Sequence, residues 1–404
     1  MRILWVKAGG LVPPDVGGKI RSYNILKELA SKHSVSFFTF YQQHENDEHA
    51  ALSRLFHRSV AVPLNIPPAQ SLGDYFNFAC AQFSSWPYSV WKYCRPEVRN
   101  ELGKLVASET YDILVCDFLL PAAIVPWELN IPKVIFTHNV EAIIWKRHFE
   151  LAANPLWRLV SWREYQAMDR FEKTKLQKAD RVFAVSEADR DVFCTYVPPA
   201  KVDVIPTGVD VEFFQPSPLD QIEEDHLVFT GSMDWLPNEE GLLFFVDEIL
   251  PLIRQTRPGV KLTIIGRKPS ARLKALAQKD SAIEVTGRVE DIRPYVARGA
   301  VYIVPLRVGS GTRLKIFEAM AMGKAIVSTT VGAEGLPVTD GANILLEDSP
   351  RNFADAVLNL LGDRERRNKI GREARRLVEE KYSWRAVAAE FERAMQKSIK
   401  QATA

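Results

Sequence analysis

Short apolar runs alternate along the chain with longer stretches whose apolar residues return every three or four positions. That is the pattern of buried strands and covering helices in parallel α/β architecture. In the first half, residues 3–6, 35–40, 113–116, 134–137 and 181–185 read as strands. The second half repeats the scheme at 227–230, 261–265, 283–286, 301–304 and 325–328. Residues 18–32 carry Ile25, Leu26 and Leu29 on one helical face. Residues 351–380 read as an amphipathic helix, Tyr382-Ser383-Trp384 breaks it, and 385–397 resumes helical spacing.

Between the halves, Val204-Ile205-Pro206-Thr207-Gly208 leads into Pro-bearing polar sequence, a hinge expected near residues 205–225. At 404 residues the chain exceeds one ordinary core and suits two domains. The expected architecture is two Rossmann-like doubly wound domains facing across a cleft, 1–210 and 211–382. Residues 383–404 are expected as a helix packing back on the first domain.

Composition changes this picture little. The 47% hydrophobic and 25% charged content is that of a globular protein, and a net charge of +2 argues against a general nucleic-acid binder. Cys80, Cys94, Cys116 and Cys194 lack metal-site spacing and read as buried, reduced thiols. The apolar start, Met1 to Val6, has no signal-peptide pattern, and no stretch is long and apolar enough to span a bilayer, so a cytoplasmic location is expected.

The chemistry concentrates after the 301–304 strand. Gly309-Ser310-Gly311-Thr312-Arg313 precedes a helix that carries Leu314, Lys315 and Glu318. Ligands of parallel sheets bind outside the carboxyl ends of strands, and a helix start offers free N–H groups to phosphate. Arg313 and Lys315 can meet a diphosphate, and Glu318 can accept hydrogen bonds from both ribose hydroxyls.

From residue 309 through Phe317-Glu318-Ala319-Met320-Ala321-Met322-Gly323-Lys324, this segment resembles the donor-site signature of family 4 glycosyltransferases of the GT-B fold. Phe229-Thr230-Gly231-Ser232 and Val285-Thr286-Gly287-Arg288 extend the likeness. The resemblance implies a retaining, metal-independent transfer from a nucleotide-diphosphate sugar to a glycan or lipid-linked acceptor, with no cofactor. It implies Glu318 on the donor ribose, the amides of Gly311, Thr312, Arg313 and Leu314 near the diphosphate, and Arg288 and Val289 near the nucleobase. Two departures stand out. The family's Glu-x7-Glu motif has Ser310 at its first position, and its usual Arg and Lys near the first strand-loop are replaced by Ser232 and Glu240. Arg313 and Lys315 are expected to supply the missing charge.

In the first domain, Asp15-Val16-Gly17-Gly18-Lys19 is either a tight turn or an amide loop facing the donor phosphate or the acceptor. His138, after the 134–137 strand, is either structural or a ligand of the donor sugar; the resemblance implies the second for both Gly17-Gly18 and His138. No HExxH or strand-end DxD offers a metal site. Trp86, Trp91, Lys92 and Arg95, then Trp145, Lys146, Arg147, Trp157, Arg158, Trp162 and Arg163, suit either an anionic membrane surface or internal packing. The competing functions are a non-catalytic sugar-nucleotide-binding component of a glycan assembly complex, a nucleotide-sugar epimerase, and a glycosyl phosphorylase. A nicotinamide dehydrogenase is disfavoured by the missing GxGxxG.

Overall fold

The structure, a computed structural model, describes residues 1–14, 17–42, 52–68, 70–152, 154–216, 218, 221–308 and 314–403. The chain forms two compact units, Met1–Pro206 with Val387–Ala404, and Thr207–Ala386. The unit boundaries therefore fall at 206 and 386, against the expected 210 and 382.

The first unit is built on a seven-stranded sheet, all of whose neighbours pair in parallel. Its strands are β1 (Arg2–Ala8), β2 (Ser34–Gln42), β3 (Arg58–Leu64), β4 (Ile113–Asp117), β5 (Lys133–Phe136), β6 (Arg181–Ala184) and β7 (Val202–Val204). Their order is β3-β2-β1-β4-β5-β6-β7. Strands β1, β4, β5 and β6 are apolar on both faces because helices cover both, which is why they read as unbroken apolar runs.

The second unit holds six parallel strands: β8 (Glu223–Thr230), β9 (Lys261–Ile265), β10 (Ile283–Gly287), β11 (Gly299–Val304), β12 (Ala325–Ser328) and β13 (Leu345–Leu346). Their order is β10-β9-β8-β11-β12-β13. Both sheets are thus doubly wound. Strand order reverses at β1/β4 in the first and at β8/β11 in the second, so each sheet has one crevice where loops diverge at the carboxyl ends.

Two expectations are corrected. The amphipathic stretch at 351–380 is two helices, Pro350–Gly362 and Arg364–Leu377, because Asp363 stops the first and caps the second by accepting from the Arg366 amide at 2.9 Å. Among the cysteines only Cys116 is buried; Cys80 is exposed, and Cys94 and Cys194 are half-buried.

The helix Trp384–Thr403 passes from the second unit into the first at Val387. There Phe391 is fully buried, its ring 5.3 Å from Trp5, 5.1 Å from Phe136 and 5.0 Å from Phe183. The returning helix therefore completes the core over β1, β5 and β6.

Candidate active site

In the second unit the β8/β11 crevice is lined from three sides. Strand β8 ends at Thr230 and turns through Gly231-Ser232 into the helix Leu236–Phe244. Strand β11 leads, through residues of which 309–313 lie outside those described, into the helix Leu314–Ala321. From that helix Lys315 reaches back across the crevice. Its ammonium donates to Asn238 Oδ1 at 2.7 Å and lies 4.1 Å from the centre of the Phe229 ring. Asn238, 3% exposed, donates in turn to the Ser232 carbonyl at 2.8 Å. A Cβ on Gly231 would sit 2.7 Å from both the Asn238 amide nitrogen and Lys315 Nζ, so only glycine admits this arrangement.

Glu318 stands one turn beyond Lys315 on the same face. Loss of water around its carboxyl raises the pKa to about 7, against the pull of Lys315. Beside it Tyr302 is buried, its hydroxyl shared with that of Thr230 and held protonated by burial and by the Glu318 charge. A desolvated carboxyl beside a cation at the crevice of a parallel sheet marks a candidate ligand site.

The neighbouring β9 loop adds charge. Arg267 Nε donates to Ser232 Oγ at 2.7 Å, and Lys268 pairs with Asp234 at 2.9 Å. The β8 and β9 ends press together here, since a Cβ on Gly266 would lie 1.7 Å from the Gly231 carbonyl oxygen.

The β1/β4 crevice of the first unit holds a buried charge network. Asp117, the last residue of β4, accepts from Trp5 Nε1 at 2.9 Å and pairs with Lys7 Nζ at 3.2 Å. His138 Nε2 lies 2.7 Å from the other Asp117 oxygen. Burial opposes charge on Asp117, yet Lys7 and the imidazole N–H hold its carboxyl well below the usual range. An ionised Asp117 accepts, so the His138 proton sits on Nε2, and Nδ1 accepts from Arg21 Nη1 at 3.2 Å. Burial, with the Phe118 and Phe136 rings 5.0 and 4.6 Å away, keeps the imidazole neutral down to about 4. Arg21 comes from the helix Gly17–Ala30, on which a Cβ at Gly18 would lie 3.6 Å from His138 Nδ1. Ser22, on the same helix, donates to the Gly18 carbonyl at 2.9 Å and accepts from Lys7 at 3.2 Å.

Comparison with known proteins divides the chain in the same way. Residues 17–213 match the model of Glycosyltransferase Family 4, and residues 224–363 match that of Glycosyl transferases group 1. The two units are the domains of a family 4-type glycosyltransferase. An uncharacterized 44.6 kDa protein in the cps region of Klebsiella pneumoniae is 21% identical, over 96% of this chain and 97% of its own. The lipopolysaccharide 1,2-N-acetylglucosaminetransferase of Salmonella typhimurium is 30% identical over 49% of this chain and 57% of its own. In fold, the chain is similar to HepE of Anabaena, crystallised with UDP, at a TM-score of 0.67 and 14% identity, covering 98% of this chain and 100% of that one. The likeness establishes the GT-B fold.

Lys315 and Glu318 meet at the β8/β11 crevice, with Leu314 opening their helix. Ser310, Gly311, Thr312 and Arg313 lie outside the described residues, as do Asp15 and Val16. Arg288 and Val289 follow β10, the edge strand, and no hydrogen bond ties them to Glu318 among the described residues. Gly17, Gly18 and His138 come together at the β1/β4 crevice, where both ring nitrogens of His138 already have protein partners. Among the described residues no group of three His, Cys, Asp or Glu could hold a metal ion. Asn238, Arg267, Arg21, Asp117 and Lys7 escaped the sequence reading. Asp117 ends a buried strand and Arg267 follows a strand-end glycine, so both carried the strand-end signal that singled out His138. Asn238 carried none.

Proposed function

We propose that the chain is a retaining glycosyltransferase that moves a sugar from a nucleoside-diphosphate sugar to a glycan or lipid-linked acceptor in cell-envelope glycan synthesis. The observation that carries this reading is the Lys315–Glu318 pair in the β8/β11 crevice. The Glu318 carboxylate takes the two ribose hydroxyls, and Lys315, with Arg267 from the β9 loop and Arg313, meets the diphosphate. The bond between the anomeric carbon and the diphosphate oxygen breaks, and the acceptor oxygen bonds to that carbon on the same face. The acceptor proton passes to the departing phosphate. Cations aimed at that phosphate stabilise the charge it gains, without a metal ion. We assign acceptor binding to the first unit, at the carboxyl ends of β1 and β4, where Asp117 and Arg21 fix the His138 ring.

The UDP bound by HepE supports a nucleotide donor, and the lipopolysaccharide relative an envelope glycan. The experiment is thermal melting with UDP-, GDP-, ADP- and TDP-sugars, with and without chelator. One nucleotide should raise the melting temperature, unchanged by chelator, and Lys315→Ala with Glu318→Ala should abolish the shift. An unaltered shift in that double variant would overturn the site assignment.

Ser310, where the family motif carries a carboxylate, favours a second reading: a sugar-nucleotide-binding component without transfer activity. It predicts the same thermal shift but no release of nucleoside diphosphate when cell-envelope extract is supplied as acceptor.

A further inference from the structure

The aromatic and basic segments of the first unit separate into two groups. Trp86 packs edge-on against Phe171, and Trp91 stacks on Tyr88 with Arg95 over its outer face. Trp157 and Trp162 are instead 41% and 46% exposed. They sit among Leu151, Leu156 and Leu159, which are 84%, 70% and 61% exposed, where the helices Glu141–Leu151 and Pro155–Lys178 meet in an antiparallel hairpin.

A second apolar row lies on the helix Leu72–Ala81 and its exit. Leu72, Tyr75, Phe76 and Phe83 are 90%, 60%, 70% and 95% exposed. Their spacing, with Ala79 and Cys80 between them, puts them on one helical face that carries no charge. Asp74 is turned away from that face, to the Tyr88 hydroxyl.

The two rows are fastened to each other. Arg163, next to Trp162, donates to the carbonyls of Ala81 at 2.7 Å and of Ser84. Buried Glu164 accepts from the Tyr88 amide at 2.9 Å and from Gln82 at 3.1 Å. The foot of the Leu72–Ala81 helix is thereby fixed beside Trp162, and the exposed apolar side chains form one surface. A soluble protein rarely leaves so many large apolar groups in contiguous contact with water.

The charge on this surface is predominantly positive. Lys146, Arg147 and Arg158 are exposed on the hairpin, and Glu150, 3.8 Å from Lys146, is the only carboxylate between Ile144 and Trp162. A second copy would bring the same cations against themselves, whereas lipid phosphates would neutralise them. We propose that this face docks the protein on an anionic bilayer. Phe76, Phe83, Leu156 and Trp162 enter the headgroup boundary, and Lys146 and Arg158 meet the phosphates. The inference stands apart from the transfer reaction, and its test reads no activity.

The full chain is sedimented with vesicles of phosphatidylcholine alone and with vesicles containing phosphatidylglycerol. Binding should favour the anionic vesicles by about tenfold at low salt and decline as salt is raised. The variants Phe76→Ser with Phe83→Ser, and Lys146→Glu with Arg158→Glu, should each weaken it by about tenfold while melting as the unaltered chain does. Absence of binding to anionic vesicles, or binding unchanged in both variants, would overturn the proposal. So would a dimer in light scattering that the Phe76→Ser and Phe83→Ser changes dissociate, since the face would then belong to a second copy.

Discussion

Glu318 and His138 are tuned in opposite senses relative to what each would do in water. The Glu318 carboxyl, raised to about 7, is half protonated at neutral pH in the unliganded chain. In the proposed donor role, ribose hydroxyls would donate to the charged form, and a bound nucleotide would draw the proton off. The nucleotide dissociation constant should therefore rise as pH falls below 7, approaching tenfold per unit. Titration calorimetry from pH 5.5 to 8.5 (roughly the span over which this group changes charge) measures it. Glu318→Gln should bind weakly with a flat profile; the same slope in both proteins would refute the role.

His138 acts on stability. An unfolded imidazole takes a proton near pH 6.5, but the folded one resists until about 4. The unfolded state binds more protons in that window, so stability from the neutral ring is complete above 6.5 and lost as pH falls towards 4. The loss is on the order of 3 kcal/mol at the bottom of the window. Asp117, held ionised, contributes only in a lower window, as pH falls below the ordinary carboxylate range. Urea unfolding at several pH values should show His138→Gln less stable at neutral pH but with a shallower decline between 6.5 and 4 than the unaltered chain.

At the scale of elements, the central strands were legible because they are buried on both faces and carry no polar interruption. Strand β3 was not, since an edge strand is only half covered, and Arg58, Ser59 and Pro63 dilute its apolar content. The break at Asp363 was legible in principle: a glycine, Gly362, followed by an aspartate that can cap the next helix is an ordinary stop and start signal. The pull of continuous amphipathic spacing across residues 351–380 concealed them. The crevice of the second unit was legible through Lys315 and Glu318, which share a helix. Asn238 joins it from the helix that follows β8 and Arg267 from the loop after β9, and no local pattern shows that. The returning helix offers a direct test. Phe391→Ala leaves a cavity between Trp5, Phe136 and Phe183 and should cost about 3–5 kcal/mol in the unfolding of the first unit. Nucleotide should still stabilise the second unit in that variant, as followed by calorimetry.

For the molecule as a whole, the alternation of short apolar runs with helical stretches foretold two parallel sheets, and the chain forms two, each with one reversal of strand order. The candidate chemistry lies at both reversals, because loops part there and nowhere else along the strand ends. The first unit is also discontinuous: Val387–Ala404 belongs with Met1–Pro206 although Thr207–Ala386 intervenes. A ribosome makes the chain in one direction, so the sheet that is translated first must wait through the synthesis of an entire second unit for Phe391. Until then the indole of Trp5 and the rings of Phe136 and Phe183 lack their cover, the kind of transiently exposed apolar surface that invites association. The unit begun first is the one finished last.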